Sequence, residues 1–301
     1  MSSRSLPWRH LLLALGVVAV WGTNFVVIKS ALAHLSPLLL ATLRFTIACL
    51  PGVFLLPRPQ VPWRNLAAYG GLIGAGQFGL LYLALTHFIS PGLASLVLQT
   101  QVFFTIGLSM YLSGEKIQRH QIAALLVAVS GIGVIIAHTD SHTTPVGLGL
   151  VLFAALSWSG GNLVVRASPG VNMLAYVVWA SLFAVPPLLI LSLWIEGWPV
   201  IVHGLREANL RTWGAVLWQT VGNTMFGYAA WGWLLARHPA ATIIPLALLV
   251  PVFGMGASAW VLHEPLPFWK LLAAALVLGG LALNLLWPML HNRSRTRPAS
   301  P

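Results

Sequence analysis

One stretch limits this chain more than any other: PGLASLVLQTQVFFTIGLSMYLSGE, Pro91 to Glu115. It is apolar, carries no charge before its last residue, and is long enough to cross a bilayer as a helix. Two amides, Gln99 and Gln101, interrupt it near the middle. A second version returns near the other end of the chain as PAATIIPLALLVPVFGMGASAWVLHE, Pro239 to Glu264. With Glu115 laid on Glu264, Phe104 falls on Phe253 and Gly131 on Gly280, while Val102 falls on Pro251. A chain that carries one apolar unit twice is read in halves.

Apolar runs of spanning length occur at about 8–31, 37–56, 66–87, 91–113, 120–137, 146–166, 172–194, 212–235, 240–262 and 268–288, which predicts ten transmembrane helices. The composition agrees. Hydrophobic residues make up 58% and charged residues 7%, against roughly 25% charged in soluble domains, so a water-soluble fold is excluded. Trp8, Trp63, Trp194, Trp213, Trp269 and Trp287 sit near run ends, where an interfacial aromatic belt belongs. Arg4 and Arg9 before the first run resemble a signal peptide, but the run is read as the first spanning helix. A single cysteine, Cys49, allows neither an intrachain disulfide nor a cysteine metal cluster.

The net charge of +11 would suggest nucleic acid in a soluble protein. Here topology accounts for it, and no nucleic-acid partner is expected. With the N-terminus inside, eleven of the 16 Lys and Arg residues fall on the cytoplasmic side. Lys29, Arg206, Arg211 and Lys270 fall on the other, and Arg44 is left within a span. Both termini are therefore expected in the cytoplasm. Residues 1–140 would hold the first five helices and 141–290 the second five, with 291–301 a basic cytoplasmic tail. Five is odd, so the second half would enter the membrane inverted. Such repeats place a substrate site near the midplane between the halves. The loop at about 195–211 has room for a small external segment.

Polar residues inside the spans are the candidate site. Trp21-Gly22-Thr23-Asn24 in the first helix is matched by Trp158-Ser159-Gly160-Gly161-Asn162 in the sixth. Asn24 and Asn162 either line a cavity or mediate close helix packing. Gln77, Tyr82, Gln99, Gln219, Asn223, Tyr228 and Trp231 complete a set of groups at middle depth; such groups must face protein or water. Gln99 and Gln101 lie about 200° apart on a helix, so both cannot face one cavity, and Gln99 is the one selected. Arg44, about 10 Å into its helix, is an anchor for a substrate carboxylate, a gate partner, or a structural cation bonding carbonyls. Lys29 is close enough to a helix end to snorkel. Pro91, Pro239, Pro245 and Pro251 offer break points in the fourth and ninth helices. All five acidic residues, Glu115 and Glu264 among them, lie at helix ends or in loops. No carboxylate is therefore available at the midplane for proton or sodium coupling, and Glu115 and Glu264 are expected to cap or gate helix ends. No catalytic, metal-binding or nucleotide-binding constellation is found, so neither an enzyme nor a cofactor is expected.

The run VVAVWGTNFVVIKSAL, the Leu43-Arg44-Phe45 triplet, the PGLASLVLQTQVFFT block ending in Gly-Glu-Lys, and LLVPVFGMGASAWVLHEPL in the second half resemble the EamA type of the drug/metabolite transporter superfamily. The resemblance covers nearly the whole chain. Within the superfamily it is most similar to bacterial amino-acid exporters, those for cysteine and O-acetylserine among them; aromatic amino-acid exporters belong to the same superfamily. It implies ten helices in two inverted halves, a bacterial inner-membrane location, and neutral amino acids or related metabolites as cargo. His263-Glu264-Pro265 departs from the Gly-Glu-Arg-like ending usual there. The rival readings are a carrier of another metabolite or drug, and a channel or scaffold.

Overall fold

The computed structural model describes residues 6–113, 117–140 and 143–295, with side chains as far as Trp287 except at Ser113, Ala240 and Ala241. Among the described residues the fold is entirely helical. In chain order come α1 (Trp8–Ala31), α2 (Pro37–Leu55), α3 (Trp63–His87), α4 (Pro91–Leu112), α5 (Arg119–Ala137), α6 (Pro145–Arg166) and α7 (Met173–Glu196). The short α8 (Trp198–Glu207) fills the long loop. Then follow α9 (residues 210–237), α10 (240–261) and α11 (Phe268–Arg295). Among the described residues nine helices are long and apolar enough to cross a membrane; α9 is not one of them.

Several of these helices start by one device. Ser36-Pro37, Ser90-Pro91 and Thr144-Pro145 put proline in the first turn, where its fixed φ fits a helix and its missing N–H removes one orphan donor. Remote carboxylates satisfy further donors at two of these starts. Glu196, at the end of α7, accepts from Ser36 Oγ at 2.7 Å and from the Leu38 and Leu39 amides at 2.6 and 3.2 Å. Glu264, between α10 and α11, accepts from Ser90 Oγ at 2.5 Å and the Gly92 amide at 3.1 Å, so it caps α4 rather than its own helix. Negative charge at a helix N-terminus is stabilising.

Proline does not break the helices where the sequence suggested. Pro91 sits in the first turn of α4, and Pro251 in the first turn of the α-helical segment Val250–Val261. Pro239 precedes α10. The tight 3₁₀ turn in α4 is at Leu98–Thr100, which contains no proline. Only Pro245 lies in such a break, at Ile244–Leu249 in α10. α3 and α9 instead widen into π-turns, at Gly71–Gly79 and Trp218–Phe226. Laying Glu115 on Glu264 superposes the two π stretches to within a few residues and the two 3₁₀ stretches directly. The irregularities repeat along with the sequence.

The halves interleave. α5 packs on α11, α2 on α7, α1 on α10, α3 on α6, and α4 between α6 and α10. Small residues permit this in lipid, where helices associate by close backbone approach rather than by the hydrophobic effect. A β-carbon at Gly131 would meet the Ala273 carbonyl at 3.0 Å, and one at Gly280 would meet the Ala124 carbonyl at 2.5 Å. Large apolar side chains such as Phe54, Tyr111, Trp194 and Trp260 face outward, as lipid contact requires.

Candidate functional site

Arg44 is the organising side chain. It lies on α2, 1% exposed. Its Nη1 donates to the Tyr82 hydroxyl of α3 at 2.8 Å, and its Nη2 to Thr224 Oγ1 of α9 at 3.0 Å. The guanidinium lies 3.8 Å from the centre of the Phe78 ring. Tyr82 in turn donates to Gln219 Oε1. Because arginine cannot accept, the tyrosine proton must point at the glutamine, which fixes that amide's orientation. The π stretch of α9 brings Gln219, Thr220, Asn223 and Thr224 into the buried interior together.

Among the described residues Arg44 forms no ion pair. A central charge costs roughly 2.5–3.5 kcal/mol to insert in a membrane helix. Two hydrogen bonds to a charged group, at about 1.5–3 kcal/mol each, together with the stacked ring, offset that. Arg44 is therefore stable in place without a carboxylate.

Beside this cluster stands an aromatic wall. Trp21 of α1 lies 6.0 Å from Tyr228 and 5.1 Å from Trp231, both on α9, and its indole donates to the Asn223 carbonyl at 3.2 Å. Tyr82, Gln219, Asn223, Tyr228 and Trp231 are thus gathered around Arg44 and Trp21. Asn24 and Gln77 are buried, at 3% and 4% exposure. Asn162 is apart from them. It donates to Gln101 Oε1 at 2.9 Å, and the neighbouring Ser159 hydroxyl donates to the Gln101 carbonyl at 2.7 Å. Of the two glutamines in α4, Gln101 is therefore the one tied to the second half, while Gln99 is buried and has no hydrogen bond to that half among the described residues. Reasoning from sequence did not select Gln101, Thr224 or Phe78, and it marked Trp21 only as part of a repeated motif.

Glu264 belongs to one end of the molecule, where Lys270 Nζ donates to it at 2.8 Å and Ser258 adds a further bond. Burial works against its charged form, but the hydrogen bonds from Lys270, Ser258 and Ser90 and the lysine's charge outweigh this, and its pKa falls below the ordinary 4.5. Glu115 lies outside the described residues. Lys29 does not snorkel: its Nζ reaches the Leu85 and Thr86 carbonyls at 2.9 and 2.5 Å, closing the C-terminus of α3. Among the described residues no three metal-ligating side chains come together. Two surface hollows of about 450 Å³ lie elsewhere. One is an apolar groove between Val26, Trp218 and Trp260, and the other is polar and bounded by Ser109, Gln121 and Arg166.

Comparison with known proteins gives the fold a context. A chain of known crystal structure superposes with a TM-score of 0.63 at 18% identity, covering 97% of this chain and 100% of that one. A Salmonella typhimurium protein named probable amino-acid metabolite efflux pump is 41% identical over 278 residues, 90% of this chain and 93% of its own length. Its namesake from Escherichia coli is 38% identical over the same length, with the same coverage. A probable terminal-alkyne amino-acid exporter of Streptantibioticus cattleyicolor is 27% identical over 94% of each chain. The EamA-like transporter family matches twice in tandem, over residues 8–137 and 145–286, so this duplicated, multi-pass membrane chain belongs to the EamA-like transporters.

Proposed function

We propose that this transporter exports neutral amino acids and close metabolites across the bacterial inner membrane, by alternating access between two inverted halves. The observation that carries the proposal is the buried network in which Arg44 and Tyr82 of the first half bond Thr224 and Gln219 of the second. A cargo held there touches both halves, and a rocking motion between them exposes it to one side at a time. The cargo class comes from the relatives named as amino-acid efflux pumps and exporters.

Inversion is supported by the packing. A pseudo-two-fold axis would exchange α1 with α6, α2 with α7, α3 with α9, α4 with α10 and α5 with α11. The pairs α2–α7 and α5–α11 then map onto themselves, and α1–α10 maps onto α6–α4. The reciprocal contacts of Gly131 with Ala273 and Gly280 with Ala124 fit this. α9 serves as the tenth span. The polar residues that lower its hydropathy, Gln219, Thr220, Asn223 and Thr224, are those of the site. Both termini lie in the cytoplasm, with residues 1–140 and 141–290 as the halves.

In this reading Asn24, Gln77, Tyr82, Gln99, Asn162, Gln219, Asn223, Tyr228 and Trp231 line the path, and Glu115 and Glu264 gate its ends. Export runs down the amino-acid gradient, because the acidic residues stand away from the midplane. Counterflow in proteoliposomes tests the function: exchange of labelled amino acid supports a carrier, and its absence across a panel of amino acids overturns the proposal. Reporter fusions test the topology, which requires residues 60, 117 and 295 inside and residues 141 and 204 outside; a cytoplasmic signal at 141 ends the five-plus-five arrangement.

A further inference from the structure

Five buried side-chain polar atoms have no hydrogen-bond partner among the described residues: Asn24 Oδ1, Arg44 Nε, Gln77 Oε1, Gln219 Nε2 and Asn284 Oδ1. Such atoms carry a desolvation penalty and are rare in native proteins. Four of the five belong to the site region, and they divide by chemistry. Arg44 and Gln219 offer donors, and Asn24 and Gln77 offer acceptors.

The donors are neighbours. Arg44 and Gln219 both bond the Tyr82 hydroxyl, which uses the oxygen of Gln219 and leaves its NH₂ group without a partner among the described residues. A guanidinium beside an amide donor is a carboxylate receptor. The acceptors lie at the same depth. Trp21 meets Asn223, and Val26 to Ser30 share a groove with Gly214 to Trp218, so α1 and α9 run antiparallel. Asn24, three residues beyond Trp21, is therefore level with Gln219 and Thr220. Gln77 adjoins Phe78, the ring under the Arg44 guanidinium.

Asn24 is turned away from the seam between α1 and α10. A β-carbon at Gly22 would lie 2.5 Å from the Val250 carbonyl and 2.6 Å from Phe253, so Gly22 faces α10. Asn24, two residues on, points about 200° around α1, on the side where Trp21 meets α9.

We infer that Arg44 and Gln219 hold the carboxylate of the cargo while Asn24 and Gln77 accept from its ammonium group, so that the site selects zwitterionic α-amino acids. The inference rests on the export reading above and assigns its recognition chemistry. Two donors and two acceptors complement a zwitterion. A cation alone would meet Arg44 unshielded, and an anion alone would leave Asn24 and Gln77 unpaired.

The test uses the full chain in proteoliposomes, with exchange of labelled L-serine, L-cysteine, L-leucine and L-phenylalanine. The best exchanged is then competed with itself, its amide, its decarboxylated amine and its N-acetyl derivative. Each derivative is expected to compete at least about tenfold more weakly than the amino acid, because a site built to bond a group rejects an analogue lacking it. In Arg44→Gln the preference for acid over amide collapses. In Asn24→Leu the preference for the free amine over the N-acetyl form collapses, while that for acid over amide stays. Arg44→Lys keeps the charge without the planar fork, and gives an intermediate preference should Arg44→Gln fail to insert. An amide or N-acetyl derivative that competes as well as the amino acid against the unmodified protein overturns the assignment without any variant. So does retention of both preferences in Arg44→Gln and Asn24→Leu. If none of the four amino acids exchanges, the export reading itself falls, and this inference with it.

Discussion

The interface of α4 with α6 and the interface of α1 with α10 are built from corresponding segments, yet they differ in one respect. In the first, Gln101 satisfies Asn162 and Ser159. In the second, Val250 stands where the glutamine would be, and Gly22 is pressed against its carbonyl. One copy is a polar lock and the other an apolar seam. Asn24, about 200° around α1 from Gly22, faces away from that seam, and its Oδ1 has no partner among the described residues. Corresponding segments thus leave one asparagine bonded and the other unbonded.

The two interfaces are joined by Glu264, which ties the start of α4 to the end of α10 and to Lys270, so its removal has the largest expected effect. Both partners' side chains are 8% exposed. Glu264→Ala leaves Lys270 buried and unpaired and is expected to cost about 3–5 kcal/mol, read as a fall in melting temperature in detergent. The pH dependence follows in sign. The pKa of Glu264 in the folded protein lies below the ordinary 4.5, so its stabilisation is complete above that value and is lost as pH falls through the lower folded value. Melting temperature should drop on acidification below the ordinary 4.5, a drop that Glu264→Gln abolishes. An unchanged acid limb in Glu264→Gln would separate the latch from both interfaces.

The polar lock comes next. Asn162→Leu strands the Gln101 amide and should cost about 1–3 kcal/mol. Asn24→Leu removes a group that has no partner, and should leave stability equal or higher while transport falls. If the two substitutions destabilise equally, the contrast between the bonded and the unbonded asparagine is wrong. The smallest effect is assigned to Gln99→Leu. With no side-chain hydrogen bond to lose among the described residues, it should change stability by less than about 0.5 kcal/mol, whereas Gln101→Leu costs several times more.

Much of the fold was legible because its signals are local. Apolar length, the doubled block and the scarcity of charge need no tertiary knowledge, and Arg44, Tyr82 and Gln219 stood out because a buried polar residue is conspicuous in a membrane span. Choosing between Gln99 and Gln101 was another matter. Gln99 lies inside the 3₁₀ turn Leu98–Thr100 and Gln101 directly follows it, which alters the facing that an ideal helix assigns. Thr220 and Thr224 were invisible because a helical threonine ordinarily bonds its own backbone. The cap that Glu264 places on α4 and the reach of Lys29 to α3 join residues far apart in the chain, and no periodicity reports them.

The reciprocal seating of Gly131 against Ala273 and Gly280 against Ala124 bears on how the protein is made. α5 ends at Ala137, but its partner α11 begins only at Phe268, about 130 residues later in synthesis. At about 5–20 residues per second, the bare glycine face of α5 waits about 7–30 s in the lipid before it is covered. During that interval the first half is a nascent protein with one side unfinished, exposed to quality-control proteases and to the wrong neighbours. A stop codon before α11 would prolong that exposure indefinitely, so truncated chains should be cleared from the cell rather than accumulate as stable half-transporters.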